Sequence, residues 1–549
     1  MKKNKILFVY DALMWYSGKV YKGVVPNELR LFDEEGKGKE QEMLTTITNI
    51  NNAINGVVWG WPALILLGVT GVLMTCLTKF YQVSHFKYWM AHTICQIFGD
   101  KRITAHTKDQ SISQFQSLCT ALAATVGTGN IVGVAGAIAV GGPGAVFWMW
   151  LIAFFGMMTN FSENVLGILY RRRNELGEWS GGAMYYLRDG LGSKKNCKQI
   201  GAVLAVLFSA FCVLASFGIG NMSQVNSMTK NINHAFHIPN LAIGAFIFLA
   251  VALVIIGGLK RVAAFTEKLV PFMVILYLIG TLVIIVMHIS QVPAVFVSIF
   301  KGAFAMKSAA GGIVGAGIAK AMQMGMKRGV FSNEAGLGSS VMVHSSSNVI
   351  EPVKQGMWGI FEVFADTIIV CSLTALTILT SGCVDLATGQ LTPVAEEVGS
   401  SSLVSYAFEQ TFGKGGSMFI AIAIFLFAYS TVLGWSHYGA KAFEYLFGTK
   451  AIFAYRVVFS LVCLLGCLME AQLAWDISDT FNGLMMIPNL IGVLALSPLV
   501  MQCTKNYVDR RIRKESGVDP MLSMFPDIQK EQEVRLQERL KYLAENEDA

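Results

Sequence analysis

A helical membrane protein crossing the bilayer about eleven times is the fold class predicted for this 549-residue chain, on three observations. Its residues are 54% hydrophobic and only 14% charged, whereas soluble domains carry about 25% charged residues. Apolar stretches of spanning length recur from end to end, among them WPALILLGVTGVLMTCL at 61–77 and FLAVALVIIGGL at 248–259. Two such stretches, five helices apart, hold matched glycine-rich interruptions at 124–130 and 312–318. The expected architecture is therefore all-α and polytopic, an inverted repeat of five plus five helices with discontinuous first and sixth core helices and one extra N-terminal helix.

The apolar segments lie near 56–79, 118–139, 144–170, 200–229, 240–259, 267–288, 308–326, 353–381, 415–440, 453–471 and 478–502. The first is the extra helix. This divides the chain into an N-terminal extension (1–42), the extra helix with its loop (43–117), a first repeat (118–288), a second repeat (289–503) and a tail (504–549). Loops 80–116, 171–198, 260–268, 327–354 and 441–456 hold most of the loop Lys and Arg, against Lys230, Lys301, Lys307 and Lys414 on the other side. Basic loops stay cytoplasmic, so the tail is expected inside and the start of the first helix outside a multi-pass cell (inner) membrane protein. Read this way, the net charge of +7 needs no acidic partner. The tail ends in a charged amphipathic stretch, DIQKEQEVRLQERLKYLAENEDA, read as a solvated helix.

Residues 1–42 are rich in Lys and Arg, which fits poorly with an outside location, and they lack a secretory signal layout. The expected natural start is Met43, since Lys39-Glu40-Gln41-Glu42 can be encoded by a ribosome-binding sequence. An intact mass that includes residues 1–42 would end that expectation.

The interruptions carry the functional argument. Lipid penalises unpaired backbone polar groups, so irregular backbone at membrane depth persists only where protein or a cavity supplies partners. Transporters use such breaks, in pairs, to bind substrate and ions. The first is Ala124-Thr125-Val126-Gly127-Thr128-Gly129-Asn130 and the second Gly312-Ile313-Val314-Gly315-Ala316-Gly317-Ile318. The competing explanation is close helix packing through small residues; the matching of the pair favours a binding site. An outer half-helix would aim free N–H groups at a carboxylate. The inner one would end in free carbonyls at Ala123 and Val126, suited to a small hard cation or an ammonium group.

GGPGAVFWMWLIAFFG (141–156) resembles the signature of the bacterial alanine or glycine:cation symporters. RGVFSNEAGLGSS (328–340), GGAMYYL (181–187), GNMSQVNS (220–227) and VLGWSHYG (432–439) resemble the same family, over roughly residues 50–503. The resemblance implies the leucine-transporter-like fold of the amino acid–polyamine–cation superfamily. It also implies sodium-driven, sometimes proton-driven, uptake of alanine, glycine or a similar small amino acid. Residue by residue, it places Gly127, Thr128 and Gly129 in the first unwound segment, with Thr128 and Gly129 on the substrate carboxylate and Asn130 capping the outer half-helix. Gly312, Ile313, Val314, Gly315 and Gly317 would face the ammonium group and side chain, Gln224 would be a polar contact, and Trp435 a wall limiting side-chain size. The implied sodium ligands are the carbonyls of Ala123, Val126 and Phe427 and the hydroxyls of Ser430 and Thr431. Ser and Thr bonding their own helix carbonyls is the plainer alternative for those two.

Acids inside apolar segments are functional candidates. Glu163 is one. Glu362 and Asp366 share a helix face near a cytoplasmic end and read as structural or gating residues rather than sodium ligands. Lys320 stands where the family has a small residue, inward of the proposed second break. The ten cysteines show no CxxC and no metal spacing. His85 and His92, and His234 and His237, form no catalytic cluster, and no phosphate loop occurs, so neither an enzyme nor an ATP-driven pump is expected. The expected partners are an amino acid and membrane lipid, not nucleic acid; the expected cofactor is co-transported sodium alone. A proton-coupled carrier of a related solute is the alternative, and an ion channel a more distant one.

Overall fold

The structure, a computed structural model, describes residues 45–107, 110–304, 314–468 and 471–546. It divides into two units, Met1–Ala53 and Ile54–Ala549; the first is helical over its described residues, 45–53. The main helices of the second are α1 (Trp61–Leu77), α2 (Gln114–Thr125), α3 (Val134–Gly141), α4 (Gly144–Tyr170), α5 (Lys198–Phe217), α6 (Ser223–Phe236), α7 (Asn240–Ile255), α8 (Gly258–Met287) and α9 (Val292–Phe304). They continue with α10 (Val314–Asn333), α11 (Val341–His344), α12 (Pro352–Val363), α13 (Ser372–Thr380), α14 (Lys414–Phe447), α15 (Ile452–Leu468), α16 (Ala471–Ala495), α17 (Ser497–Tyr507) and α18 (Pro526–Asn546).

Seven helices among the described residues are long and apolar enough to cross a membrane, or up to nine if each of two bent pairs is one span. The eleven expected from sequence exceed this for local reasons. The segment at 240–259 forms a helix of 16 residues, and that at 308–326 begins outside the described residues. The segment at 478–502 bends by 59° between Ala495 and Ser497.

The first break is present. α2 starts at a capping box, in which the Gln116 amide donates to Ser113 Oγ and the Ser113 amide to Gln116 Oε1, both at 3.1 Å. It ends at Thr125, and the chain resumes at Gly129 through a π-helical turn, Gly129–Gly133, leading into α3. The two halves meet at 49°.

The second break is displaced from its expected position. Val314, Gly315 and Gly317 lie in the continuous helix α10, and Gly317 is exposed with no neighbour within 4 Å of an added Cβ. Gly312 and Ile313 lie outside the described residues. The chain unwinds instead after Asn333, where Glu334, Gly336 and Gly338 have φ of 57°, 93° and 72°. Small residues permit close packing but do not by themselves stop a helix. Asn333 does: its Oδ1 accepts the Ala335 amide at 3.0 Å, a side-chain turn that ends α10.

Two further expectations change. Lys327 and Arg328 belong not to a basic loop but to α10, where they pair with nearly buried Asp479 of α16 at 2.6 and 3.2 Å. The tail helix α18 is not freely solvated. Leu536 is buried against Ile350 and Leu522. Gln532 Nε2 donates to the Ile350 carbonyl at 3.1 Å, and Arg173 and Asp100 pair with Glu531 and Arg539.

Packing brings the breaks together. α4 lies against both α10 and α12, while α14 lies against α2, α5 and α6. A Cβ on Gly434 would stand 2.7 Å from Ala124 Cβ, so α14 and the end of α2 are in near-backbone contact.

Candidate functional site

Two broken helices and two continuous ones converge on a small cavity of about 10 Å³, room for about one water. Gly127 and Gly129 line it from the first break, Gln224 from α6, Phe331 and Glu334 from the end of α10, and Thr431 and Trp435 from α14. No charge need be spent to expose peptide groups here, because glycine leaves the backbone bare.

Each unwound segment is held by side chains. Gln224 Oε1 accepts from both the Thr128 amide (3.2 Å) and the Thr128 hydroxyl (2.9 Å), while its Nε2 donates to the Ile219 carbonyl (2.9 Å). Thr128 therefore turns to Gln224, and the cavity wall is left to Gly127 and Gly129. Asn130 caps backwards: its Oδ1 accepts the Gly127 amide at 2.8 Å and its Nδ2 donates to Asp366 Oδ1 at 2.6 Å. Asp366 Oδ2 accepts from Ser332 and Thr367, each at 2.8 Å. One carboxylate thus ties the first break, through Asn130, to the last turn of α10, a structural role of the kind expected for Asp366. Glu362 bonds His344 Nε2 at 2.9 Å and Asn160 Nδ2 at 3.2 Å, and Glu163 accepts from Asn489 at 2.5 Å. All three acids are fully buried.

Glu334 escaped the sequence reading. It is 1% exposed, has positive φ, and receives Trp435 Nε1 at 2.7 Å and Ser339 Oγ at 2.5 Å. Among the described residues no Lys or Arg lies within ion-pair distance of it. A buried carboxyl without a cationic partner either stays protonated or takes up a cation. A strained backbone at the same residue points to a functional role. Trp435 is locked above it by Gly220, whose added Cβ would stand 2.3 Å from Trp435 Cβ.

The five expected sodium ligands fall on facing elements. Ala123 and Val126 end α2, and Phe427, Ser430 and Thr431 lie on α14 against it, all buried. The two hydroxyls differ. Ser430 Oγ donates to the Phe427 carbonyl (2.7 Å) and lies 3.4 Å from Met273 Sδ, toward α8. Thr431 Oγ1 also bonds that carbonyl (3.0 Å), but it abuts the break: a Cβ on Gly127 would come within 2.2 Å of it. The helix-internal bonds are those of the plainer alternative, and each hydroxyl oxygen retains lone pairs for a cation.

A polytopic helical protein with paired helix breaks around a small, polar, buried cavity is built as a membrane carrier. The sequence pattern of the sodium:alanine symporter family matches residues 44–521, and the chain belongs to that family. It is 41% identical over 466 residues to the sodium/alanine symporter AgcS of Methanococcus maripaludis, covering 85% of this chain and 98% of that protein. It is 36% identical to the probable sodium/glutamine symporter GlnT of Bacillus subtilis, covering 88% and 94%. Among solved structures it is similar to MhsT in complex with L-phenylalanine, at 12% identity and a TM-score of 0.49, covering 73% of this chain and 99% of that one. The family is one of transporters, not enzymes, and places the chain in the cell membrane.

Proposed function

We propose that this chain imports a small neutral amino acid, alanine or glycine, driven by the sodium gradient, by alternating access in a leucine-transporter-like core of two five-helix repeats. The observation that supports this most is the pairing, across one small cavity, of the Glu334 carboxylate with the bare backbone of Gly127 and Gly129. A zwitterion fits that polarity. Its ammonium group meets Glu334, and its carboxylate meets the first break, at the positive end of the half-helix that begins at Gly129. Its side chain lies toward Trp435 and Phe331, and a fixed indole leaves space for little more than a methyl group. The loop charges put the tail inside.

Sodium sits between the Ala123 and Val126 carbonyls on one element and Phe427, Thr431 and Ser430 on the other. A cation bridging a moving helix and a static one holds one arrangement and loses ligands in the other, which is how it biases the equilibrium. Thr431→Ala is expected to raise the half-maximal sodium concentration about tenfold, the scale of losing one ligand to a charged group. Alanine affinity recovers at saturating sodium, and Thr431→Ser is much milder. Ser430→Ala shifts the curve less, since its hydroxyl lies toward Met273. Uptake against sodium concentration for the four proteins checks this; an unmoved curve for both alanine variants places sodium elsewhere.

Trp435→Ala is expected to let valine or leucine compete while weakening alanine. An added methylene in an apolar pocket is worth only about 1–3 kcal/mol, so the preference relaxes rather than switches. Competition no better than in the parent protein would remove Trp435 from the pocket wall. The fully buried Glu362–His344 pair, 2.9 Å apart, favours proton coupling as a second reading. Uptake that survives replacement of sodium by choline and follows a pH gradient would establish it.

A further inference from the structure

Glu163 is a fully buried acid that the transport site does not use. Its surroundings lead back to the second break. Asn489 of α16 donates through Nδ2 to Glu163 Oε1 at 2.5 Å and to the Gly336 carbonyl at 2.8 Å. Its Oδ1 accepts the hydroxyl of Tyr186, which opens a π-helical turn at Tyr186–Leu191. A peptide carbonyl can only accept, so the Asn489 amide must turn its nitrogen toward Gly336, and its oxygen then faces the Tyr186 hydroxyl. Asn489, Glu163 and Tyr186 are all fully buried. α4, the Tyr186 turn and α16 therefore meet on one carbonyl.

That carbonyl needs a partner. Glu334, Gly336 and Gly338 have positive φ, so the chain there cannot pair with itself as a helix does. At membrane depth an unpaired carbonyl persists only where protein or a cavity supplies a donor, and Asn489 is that donor. The same side chain backs the next part of the loop: a Cβ on Gly338 would stand 2.7 Å from Asn489 Cγ. Gly336 follows Glu334 by two residues, and Gly338 adjoins Ser339, whose hydroxyl donates to Glu334 Oε2 at 2.5 Å. One side chain thus supports the stretch that carries Glu334 to the cavity wall. The first break has a comparable support, since Asn130 spans the Gly127 amide and Asp366. Each break rests on an asparagine braced by a buried acid.

We propose that Asn489 is a positioning residue for the transport site: braced by Glu163 and Tyr186, it fixes the Gly336 carbonyl and so sets where the Glu334 carboxyl stands against Trp435. Its effect on transport rests on the reading that Glu334 meets the substrate ammonium group; its effect on the break does not.

The test reads amide hydrogen exchange of the purified full chain in detergent, in two peptides: 331–344 across the second break and 120–133 across the first. Alanine and sodium dependence of uptake are measured on the same proteins in proteoliposomes. Asn489→Leu keeps a branched shape and removes the donor. It is expected to speed exchange in 331–344 about tenfold and to leave 120–133 unchanged, the scale of one lost hydrogen bond. Half-saturating alanine is expected to rise about tenfold, while half-maximal sodium, read at saturating alanine, stays in place. Tyr186→Phe and Glu163→Leu each free one side of Asn489 and are expected to act in the same direction by about threefold. They carry the test if Asn489→Leu does not fold. Asn482→Leu is the control: this fully buried asparagine stands two turns earlier on α16, and among the described residues neither of its amide atoms has a hydrogen-bond partner. It is expected to match the parent in every readout. If exchange in 331–344 stays at the parent rate in the Asn489, Tyr186 and Glu163 variants, or rises equally in both peptides, the proposal is overturned. If it rises in 331–344 alone while alanine affinity stays parental, Asn489 holds the break and it is the ammonium contact at Glu334 that fails.

Discussion

Gly127→Ala is expected to abolish alanine uptake, by about a hundredfold or more, in a protein that still folds and reaches the membrane. An alanine Cβ there would lie 2.2 Å from Thr431 Oγ1, 3.2 Å from Thr431 Cβ and 3.3 Å from Gln224 Oε1. No rotamer of Thr431 escapes the Cβ–Cβ approach without moving α14 from the break, and the break is where both proposed ligands sit. A displacement of about 1 Å at a reacting or binding centre costs on the order of 10²-fold. Gly136→Ala is the matched control: it lies on the same outer half-helix, and an added Cβ meets nothing within 4 Å. It should transport normally, since alanine favours helix over glycine by about 1 kcal/mol. The double variant Gly127→Ala with Thr431→Gly, read at saturating sodium, tests the cause, because it removes both the hydroxyl and the Cβ that the new methyl meets. Partial recovery is expected; no recovery would show that the clash is not with Thr431.

Glu334→Gln should be nearly as damaging, for an electrostatic reason. The substitution keeps shape and retains an oxygen to accept Trp435 Nε1, so the fold loses little. What it removes is the negative charge that the proposal sets opposite the substrate ammonium group. Truncating one partner of a buried charge pair costs about 2–5 kcal/mol, on the order of 100-fold in alanine affinity. Sodium should not rescue it, in contrast with Thr431→Ala, whose defect disappears at saturating sodium. Alanine binding to the two variants across sodium concentrations separates the roles; Glu334→Gln with parental alanine affinity would take the ammonium group away from Glu334.

The sequence made the first break legible because Val126–Asn130 combines glycines with Thr128 and Asn130, side chains able to hold freed backbone, as Gln224 and Asp366 then do. The GIVGAG stretch carries glycine density alone, and it is helical where it is described. The second break lies in FSNEAGLG, and its signal was an Asn turn followed by glycines at alternate positions, a pattern of turn chemistry rather than of small residues. Glu334 gives no signal as a buried acid in the sequence, because it stands in a polar stretch and not an apolar one. Burial there comes from the tertiary packing of α10 against α4 and from Trp435 of α14, which bonds Glu334, and no local window contains either. Lys327 and Arg328 read as loop charges in the sequence for the same reason: their partner, Asp479, lies about 150 residues along the chain.

The family is established by sequence; what this chain moves, and on which gradient, is the central claim. It is tested most directly by uptake of radiolabelled alanine into proteoliposomes containing the purified protein, with an inward sodium gradient or with choline in place of sodium. The account predicts accumulation above the external concentration only with the sodium gradient, collapse when a sodium ionophore dissipates it, and competition by glycine. Equal uptake in sodium and choline, or entry that never exceeds equilibration, would contradict it.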